Sequence, residues 1–156
     1  PSLYECSKPI HFIGLGTAGS YRVEYIHRKG LNGKFTYISH PMRLNLPKEI
    51  QFIHFLPPGK SYYINNVESI RFSDYEQRIE IPDSILKIFE SDEKFVLLSG
   101  LGGYTGTFMT EELTQLLSQR KKSFLTISSI PFGFEGKLKR ARSYNTISKL
   151  KSIDSF

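Results

Sequence analysis

The stretch Ile10–Ser20, IHFIGLGTAGS, contains the pattern that most clearly indicates the fold of this chain. It begins with an apolar run that ends at glycines, which is typical of a buried parallel strand. The run leads directly into a GxGxxG spacing at Gly14, Gly16 and Gly19, where glycines allow a tight turn and the close approach of another backbone. A helix is predicted to follow from about Gly19 to His27, so the N–H groups at its start would face a phosphate.

A second glycine-rich loop follows a later apolar run. Phe95–Ser99 is predicted as a strand, and the loop Gly100–Thr107, GLGGYTGT, connects it to a helix predicted over Thr110–Gln119. Such a loop offers several backbone N–H groups and two threonine hydroxyls to phosphate oxygens. In a doubly wound sheet, the loops after the first and fourth strands flank the point where ligands bind. The two loops therefore predict one shared phosphate site.

Further apolar runs alternate with helical stretches along the chain. Phe35–Ser39, Ile50–Leu56 and Ser123–Ile130 are predicted as strands, and Pro82–Glu90 and Lys137–Lys151 as helices. Strands that alternate with helices and read as continuous apolar runs are typical of a parallel sheet covered on both faces. The sequence therefore predicts an α/β fold, doubly wound, with a mostly parallel five-stranded sheet and helices on both faces.

Length and composition exclude several classes of protein. The chain has 156 residues, which suits one domain at about 150 residues per domain. Hydrophobic residues make up 39% of it and charged residues 23%, a globular rather than a disordered composition. The single cysteine, Cys6, excludes an internal disulfide. Neither a membrane-spanning run nor a signal peptide is recognisable, so the sequence predicts a cytoplasmic protein.

The titratable residues give no separate catalytic or metal site. The four histidines, His11, His27, His40 and His54, lack metal-ligand spacing, so no metal site is predicted. Positive charge is concentrated in residues 120–151, which hold nine Lys or Arg residues and one acid. Such a basic segment fits either an anionic partner or a solvated helix surface. It lacks interleaved aromatic and arginine residues, so we do not expect a nucleic-acid partner.

The first glycine loop also fits a dinucleotide-binding enzyme. That interpretation requires an Asp or Glu about 20 residues further on to hold the ribose 2′-hydroxyl. The second strand ends at Ser39-His40-Pro41 without an acid, which leaves Arg43 to receive the 2′-phosphate of NADP. No acid–base pair for such chemistry is recognisable, so this alternative is secondary.

Three stretches of the chain, taken in order, carry a resemblance to one family. They are residues 11–20 (HFIGLGTAGS), residues 99–108 (SGLGGYTGTF) and residues 129–141 (SIPFGFEGKLKRA). They are similar to the GxGGxGxN loop, the GGGTGTG loop and the PFxFEG stretch of the tubulin/FtsZ family of GTPases. The resemblance implies a sheet order of 3-2-1-4-5 and a divergent guanine-nucleotide-binding module, with GTP or GDP and Mg²⁺ as ligands. It also implies a link to cell division or cytoskeletal filaments, with a homo-oligomer or an FtsZ/tubulin-like filament as partner.

The resemblance implies a nucleotide site built from three segments. Residues 16–20 would form the first phosphate loop, with Ser20 where the family commonly has Asn. Glu135 matches the family glutamate that contacts the ribose, and Lys139 lies where bacterial members often carry Arg. The nucleotide-binding residues expected on this basis are Gly14, Gly16, Thr17, Ala18, Gly19, Ser20, Gly102, Gly103, Tyr104, Thr105, Gly106, Thr107, Glu135 and Lys139.

Two departures from the family pattern bear on the phosphate loops. Tyr104 and Phe108 stand where the family has glycine. Each side chain could crowd a phosphate, whereas Tyr104 could also point outward and Phe108 could pack into the core. No counterpart of the family's GAGG loop follows the third strand.

The resemblance also sets expectations for the extent and activity of the chain. Residues 1–156 are expected to form a single, partial nucleotide-binding domain that lacks the family's central helix, catalytic acid and second domain. We therefore expect a chain that is related to GTPases but does not hydrolyse GTP by itself. The alternative is a nucleotide-free FtsZ-like scaffold or interaction protein. Without the family's sixth strand, the fifth strand would be a bare edge, which favours association.

Overall fold

A computed structural model of the protein describes residues 8–40, 45–55 and 81–153. Within these ranges the sheet contains β1 (Ile10–Leu15), β2 (Lys34–Ser39), β3 (Ile50–His54), β4 (Lys94–Gly100) and β5 (Phe124–Ser129). All neighbouring strands pair in parallel, and their order is β3-β2-β1-β4-β5. The predicted α/β sheet and its 3-2-1-4-5 order are confirmed.

The helices follow the strands as a doubly wound fold requires. They are α1 (Gly16–Arg28), α2 (Asp83–Leu86), α3 (Tyr104–Gln119) and α4 (Lys137–Lys151). Single 3₁₀ turns at Lys87–Glu90 and Gly133–Glu135 follow α2 and precede α4, so only part of the helix predicted over Pro82–Glu90 is α-helical. No helix in the described ranges is long and apolar enough to cross a membrane.

Two helix starts differ from the sequence prediction. α1 begins at Gly16 rather than Gly19, and α3 begins at Tyr104 rather than Thr110. Glycine has a low intrinsic helix propensity, which favours a loop on sequence grounds. In the structure the first turns of both helices pack closely on neighbouring backbone, and this tertiary contact overrides the propensity. α4 matches its predicted bounds.

Side chains of alternating strand residues fill two buried clusters, one on each face of the sheet. The step from Phe12 to Ile13 in β1 illustrates the alternation, because the two side chains belong to different clusters. On the first face, α1 contributes the fully buried Val23. On the second face, α3 contributes Phe108, Met109, Leu113 and Leu117, and the α2 region contributes Ile85 and Phe89. The helices are thereby fixed against the sheet, and so are the loops at their N-terminal ends.

Some sequence expectations fall outside the described ranges. Cys6 and Arg43 lie there, so the structure does not bear on the secondary NADP interpretation. The single, partial domain predicted over residues 1–156 also stays a prediction.

Candidate functional site

A cleft of about 760 Å³ opens where β1, β4 and β5 end. Its walls are the turn into α1, the turn into α3 and the segment between β5 and α4. Sites for small molecules and cofactors commonly occupy roughly 300–1,000 Å³ and lie beyond the carboxyl ends of parallel strands. The cleft therefore has the size and the place expected of a ligand site in this fold.

Both helices that begin at the cleft lack a side-chain cap. The N-cap residues are Leu15 for α1 and Gly103 for α3, and neither of them makes a capping side-chain hydrogen bond to the first N–H groups of its helix. The first turn of each helix also contains no acidic residue. The first N–H groups of a helix have no partner within the helix, and they carry the positive end of its dipole. Two electropositive helix starts therefore meet at this cleft.

Glycines bring the two helix starts into backbone contact. Gly16 has a φ of 72°, and a Cβ on it would lie 2.9 Å from the amide nitrogen of Gly106. A Cβ on Gly106 would lie 2.8 Å from the carbonyl oxygen of Gly100. Both positions therefore require glycine, because a side chain would push backbone segments apart.

Gly103 has a different environment. A Cβ on this residue would meet no atom of the described residues within 4 Å, and its φ of −74° is accessible to any residue. Packing therefore does not require glycine here. The missing side chain leaves open space beside the first turn of α3, in the wall of the cleft.

Nine of the residues that the resemblance implied line the cleft. Gly16, Thr17 and Ala18 come from the start of α1, and Glu135 and Lys139 come from the segment that follows β5. The other four come from the turn into α3: Gly103, Tyr104, Thr105 and Gly106. Residues far apart in the sequence are thus brought together as the motifs suggested.

Three implied residues of the first loop lie beneath the cleft rather than in its wall. Gly14 and Gly19 are buried against each other, since a Cβ on Gly14 would lie 2.5 Å from the Gly19 carbonyl oxygen. Ser20 is fully buried, and its hydroxyl donates to the carbonyl oxygen of Gly16 at 2.7 Å. These residues hold α1 on β1, and the Ser20 hydroxyl already has a backbone partner.

Two implied residues of the second loop have a similar supporting role. The N–H of Gly102 donates to the Thr107 hydroxyl at 2.8 Å, and both residues are buried. Arg142 of α4, itself buried, donates to the carbonyl oxygen of Gly102 at 3.0 Å. The loop is therefore held from inside by a threonine and an arginine. The role of Arg142 depends on how α4 packs, so no pattern in the sequence pointed to it.

The two bulky residues of the second loop, Phe108 and Tyr104, lie in different environments. Phe108 is 4% exposed and belongs to the core beneath α3, so it does not crowd the cleft. Tyr104 is half-buried and lies in the cleft wall. Of the two departures from the family loop, only Tyr104 is placed to affect a ligand.

The charged groups of the cleft come from three elements. Arg22 of α1 lines it and donates from Nη1 to the carbonyl oxygen of Ser99. Glu135 accepts the N–H of Phe132 on Oε1 at 2.9 Å, and its Oε2 lies 3.5 Å from Nζ of Lys139. Arg22 was not among the site residues expected from the sequence, although it lies one helical turn after Ala18 and so shares its face of α1.

The known proteins that the chain resembles in sequence and in fold include FtsZ. No family model matches the chain. It is 26% identical over 157 residues to the cell division protein FtsZ of Aquifex aeolicus, in an alignment that covers 94% of this chain and 40% of that protein. The chain therefore spans about 40% of the length of this curated relative.

Solved structures share the architecture. An empty FtsZ dimer of M. jannaschii has a TM-score of 0.65 at 17% identity, and the match covers 97% of this chain and 44% of that one. CetZ1 from Haloferax volcanii, a GDP-bound monomer, has a TM-score of 0.59 at 19% identity, with coverages of 94% and 49%. The chain thus has a tubulin/FtsZ-like fold.

Proposed function

We propose that this tubulin/FtsZ-like domain binds a guanine nucleotide in the cleft between α1 and α3. The observation that carries the proposal is the meeting of two uncapped helix N-termini at one cleft. Such termini favour anions, because their N–H groups and dipoles point toward the ligand. The guanine base is inferred from the similarity to CetZ1, which was solved with GDP.

Backbone N–H groups and basic side chains at the cleft are placed to bind the phosphates of a nucleotide. The N–H groups of Thr17 and Ala18 at the start of α1, and those of Tyr104 and Thr105 at the start of α3, would donate to phosphate oxygens. The open space beside Gly103 gives those oxygens room to approach the helix. Arg22 and Lys139 add positive charge to the same cleft. By the resemblance, Glu135 would contact the ribose.

We propose binding without hydrolysis by this chain alone. A general base must lie within hydrogen-bond reach of the water that it activates. Glu135 is the one carboxylate in the described lining, and its oxygens already contact the Phe132 N–H and Lys139. The described cleft therefore lacks a free carboxylate for that task.

Mg²⁺ is a poor match for the described residues. Mg²⁺ is usually held by one or two carboxylates together with phosphate oxygens and water. Glu135 is the one carboxylate in the described lining and is assigned here to the ribose, and neither helix has an acid in its first turn. We therefore assign no role to a protein-held magnesium ion.

The test is a thermal-shift titration of the purified chain with GDP, GTP, ATP and NADPH. A ligand that binds only the folded state raises the melting temperature by mass action. We expect GDP and GTP to raise it and ATP and NADPH to leave it unchanged. The variant Gly103→Val fills the open space, so it should lose the response to nucleotide while the free protein stays folded. Ala141→Val, at an exposed position of α4, is the matched control.

A response to neither guanine nucleotide at millimolar concentration would overturn the proposal. A response that survives Gly103→Val would place the nucleotide elsewhere on the chain. An increase in melting temperature of equal size with ATP would support the phosphate site but contradict the assignment of guanine as the base.

A second candidate function is that of an interaction module, and one observation favours it. Among the described residues β5 pairs only with β4, so its other edge is open. The strand FLTISS carries no charge, and its Leu125 and Ile127 are 53% and 47% exposed. An apolar groove of about 560 Å³ lies beside it, lined in part by Ile147 and Leu150.

An uncharged, exposed strand edge of this kind favours pairing with another chain. We propose a second copy of this chain as the partner, in line with the similar FtsZ that was solved as a dimer. A role in cell division or in a cytoskeletal filament, and a cytoplasmic location, are extensions of this proposal from the relatives.

A further inference from the structure

We infer that His40 and His54 form a binding site for a divalent transition-metal ion at the rim of the cleft. Nδ1 of His40 and Nε2 of His54 face each other at 2.6 Å. The ring centroids lie 4.8 Å apart, and the ring planes are inclined by 59°. His40 also lines the cleft, whereas His54 is exposed to solvent. Two imidazole nitrogens thus face each other at a place that an ion can reach from solvent.

The strands hold this geometry in place. β2 and β3 pair in parallel with Ser39 opposite His54, so His40 follows directly at the end of β2. The N–H of Phe55 donates to the carbonyl oxygen of Ser39 at 3.2 Å, which extends the pairing past His54. The ring of Phe52 contacts those of both His54 and Tyr37, with centroid distances of 6.4 and 4.8 Å. The histidines therefore stand on paired backbone with a packed aromatic neighbour.

The 2.6 Å between the two nitrogens is close to the separation of two imidazole nitrogens that bind the same ion. Two imidazoles on one tetrahedral zinc, with bonds of about 2.0–2.1 Å, place their nitrogens about 3.3 Å apart. Rotation of the exposed His54 side chain would widen the gap and let both nitrogens face the ion. The imidazole that donates in the hydrogen bond would take up its other tautomer, with the proton on the ring nitrogen that faces away, so that both facing nitrogens bind the ion as neutral ligands.

The donor atoms define which ions fit. Neutral imidazole suits zinc, copper, nickel and iron, whereas magnesium and calcium prefer oxygen ligands. No group of three or more His, Cys, Asp or Glu residues is placed to hold a metal within residues 8–40, 45–55 and 81–153. The described part of the protein therefore supplies two ligands. Water, or an oxygen of a molecule in the cleft, completes the coordination, so the ion is exchangeable.

The test is an isothermal titration of the purified full chain with Cu²⁺, Ni²⁺ and Co²⁺, in the absence of nucleotide. We expect one saturable site whose affinity rises from Co²⁺ through Ni²⁺ to Cu²⁺. His54→Gln and His40→Gln should each weaken Ni²⁺ binding at least about tenfold, because even the loss of a ligand's hydrogen-bond partner costs 10–100-fold. His27→Gln is the matched control, since His27 lies on α1 away from this pair and should leave the affinity unchanged.

The site assignment fails under two results. Wild-type affinity for Ni²⁺ in His54→Gln would mean that the two histidines form a hydrogen-bonded pair only. The absence of saturable binding at millimolar Ni²⁺ would overturn the proposal outright. Both results are independent of whether a nucleotide binds, because the titration contains none.

Discussion

Gly16 and Gly106 are in backbone contact at the point where α1 and α3 begin. A Cβ on Gly16 would stand 2.9 Å from the amide nitrogen of Gly106, so the two helix starts pack directly against each other. The two residues belong to different glycine loops, one after β1 and one after β4. Their contact is what makes the two helix N-termini parts of a single site.

Gly106→Ala tests how strictly this contact is required. The new Cβ would lie 2.8 Å from the carbonyl oxygen of Gly100 and 3.2 Å from that of Leu15. Backbone atoms cannot rotate away, so we expect a loss of about 1–3 kcal/mol in the free energy of unfolding, measured with urea. Gly103→Ala is the control, and it should cost only about 0.5 kcal/mol, because its Cβ meets no atom of the described residues and only the preference of the N-cap for glycine over alanine is lost. Equal effects of the two substitutions would contradict the described packing.

Phe108→Ala tests whether Phe108 supports the core rather than the ligand site. Its side chain is buried among Met109, Leu113 and the strand residues beneath α3. Truncation should cost about 3–5 kcal/mol of unfolding free energy. Phe134→Ala removes the same side chain at a position that is 86% exposed, and should leave stability nearly unchanged. A mild effect of Phe108→Ala, with altered nucleotide binding, would place Phe108 in the cleft after all.

A buried polar network at the amino end of the sheet predicts a pH dependence of stability. Nδ1 of His11 lies 3.0 Å from Oε2 of Glu93, and its Nε2 lies 2.7 Å from the Thr36 hydroxyl. The ammonium of Lys34 pairs with the other oxygen of Glu93. Burial lowers the pKa of His11 below its ordinary 6.5, although Glu93 acts in the opposite direction. Burial also opposes the ionisation of Glu93, but Lys34 and His11 hold its pKa below the ordinary 4.5.

Both shifts destabilise the protein as the pH falls. Below pH 6.5 the unfolded chain binds a proton at His11 before the folded chain does, so stability is lost. Below pH 4.5 the same argument applies to Glu93. Urea unfolding between pH 4 and 8 should therefore show a declining free energy, and His11→Gln should flatten the decline that begins near 6.5. The control His27→Gln should show the same decline in unfolding free energy as the unsubstituted chain. An unchanged slope in His11→Gln would contradict the argument.

Ile127→Lys tests the proposed association through β5. A lysine on an open strand edge opposes pairing with another chain. We expect the wild-type chain to sediment with a concentration-dependent increase in mass and the variant to remain monomeric. Leu31→Lys adds the same charge at another exposed apolar position, outside the sheet, and should associate like the wild type. Identical association of all three chains would exclude this edge.

The apolar runs before the glycine loops predicted the strands, and the family resemblance carried by the three motifs implied the sheet order. The motifs were less informative about helix starts, because the low helix propensity of Gly106 favours a loop, whereas α3 already includes this residue. Ser20 was expected to face a ligand, but a serine within a helix can instead bond the carbonyl four residues earlier, and it does so here.

Other parts of the site depend on contacts that no single segment encodes. The buried Arg142 reaches the second loop only because α4 packs beside it. The pairing of His40 with His54 depends on the register between β2 and β3. Neither feature leaves a spacing in the sequence that would identify it.

The most direct test of a shared phosphate site between α1 and α3 is a nuclear magnetic resonance titration of the ¹⁵N-labelled chain with GDP. If one phosphate chain lies between the two helix starts, the amide signals of Thr17 and Ala18 and those of Tyr104 and Thr105 should shift together with one dissociation constant. Shifts confined to one helix start, or none at millimolar GDP, would contradict the shared site.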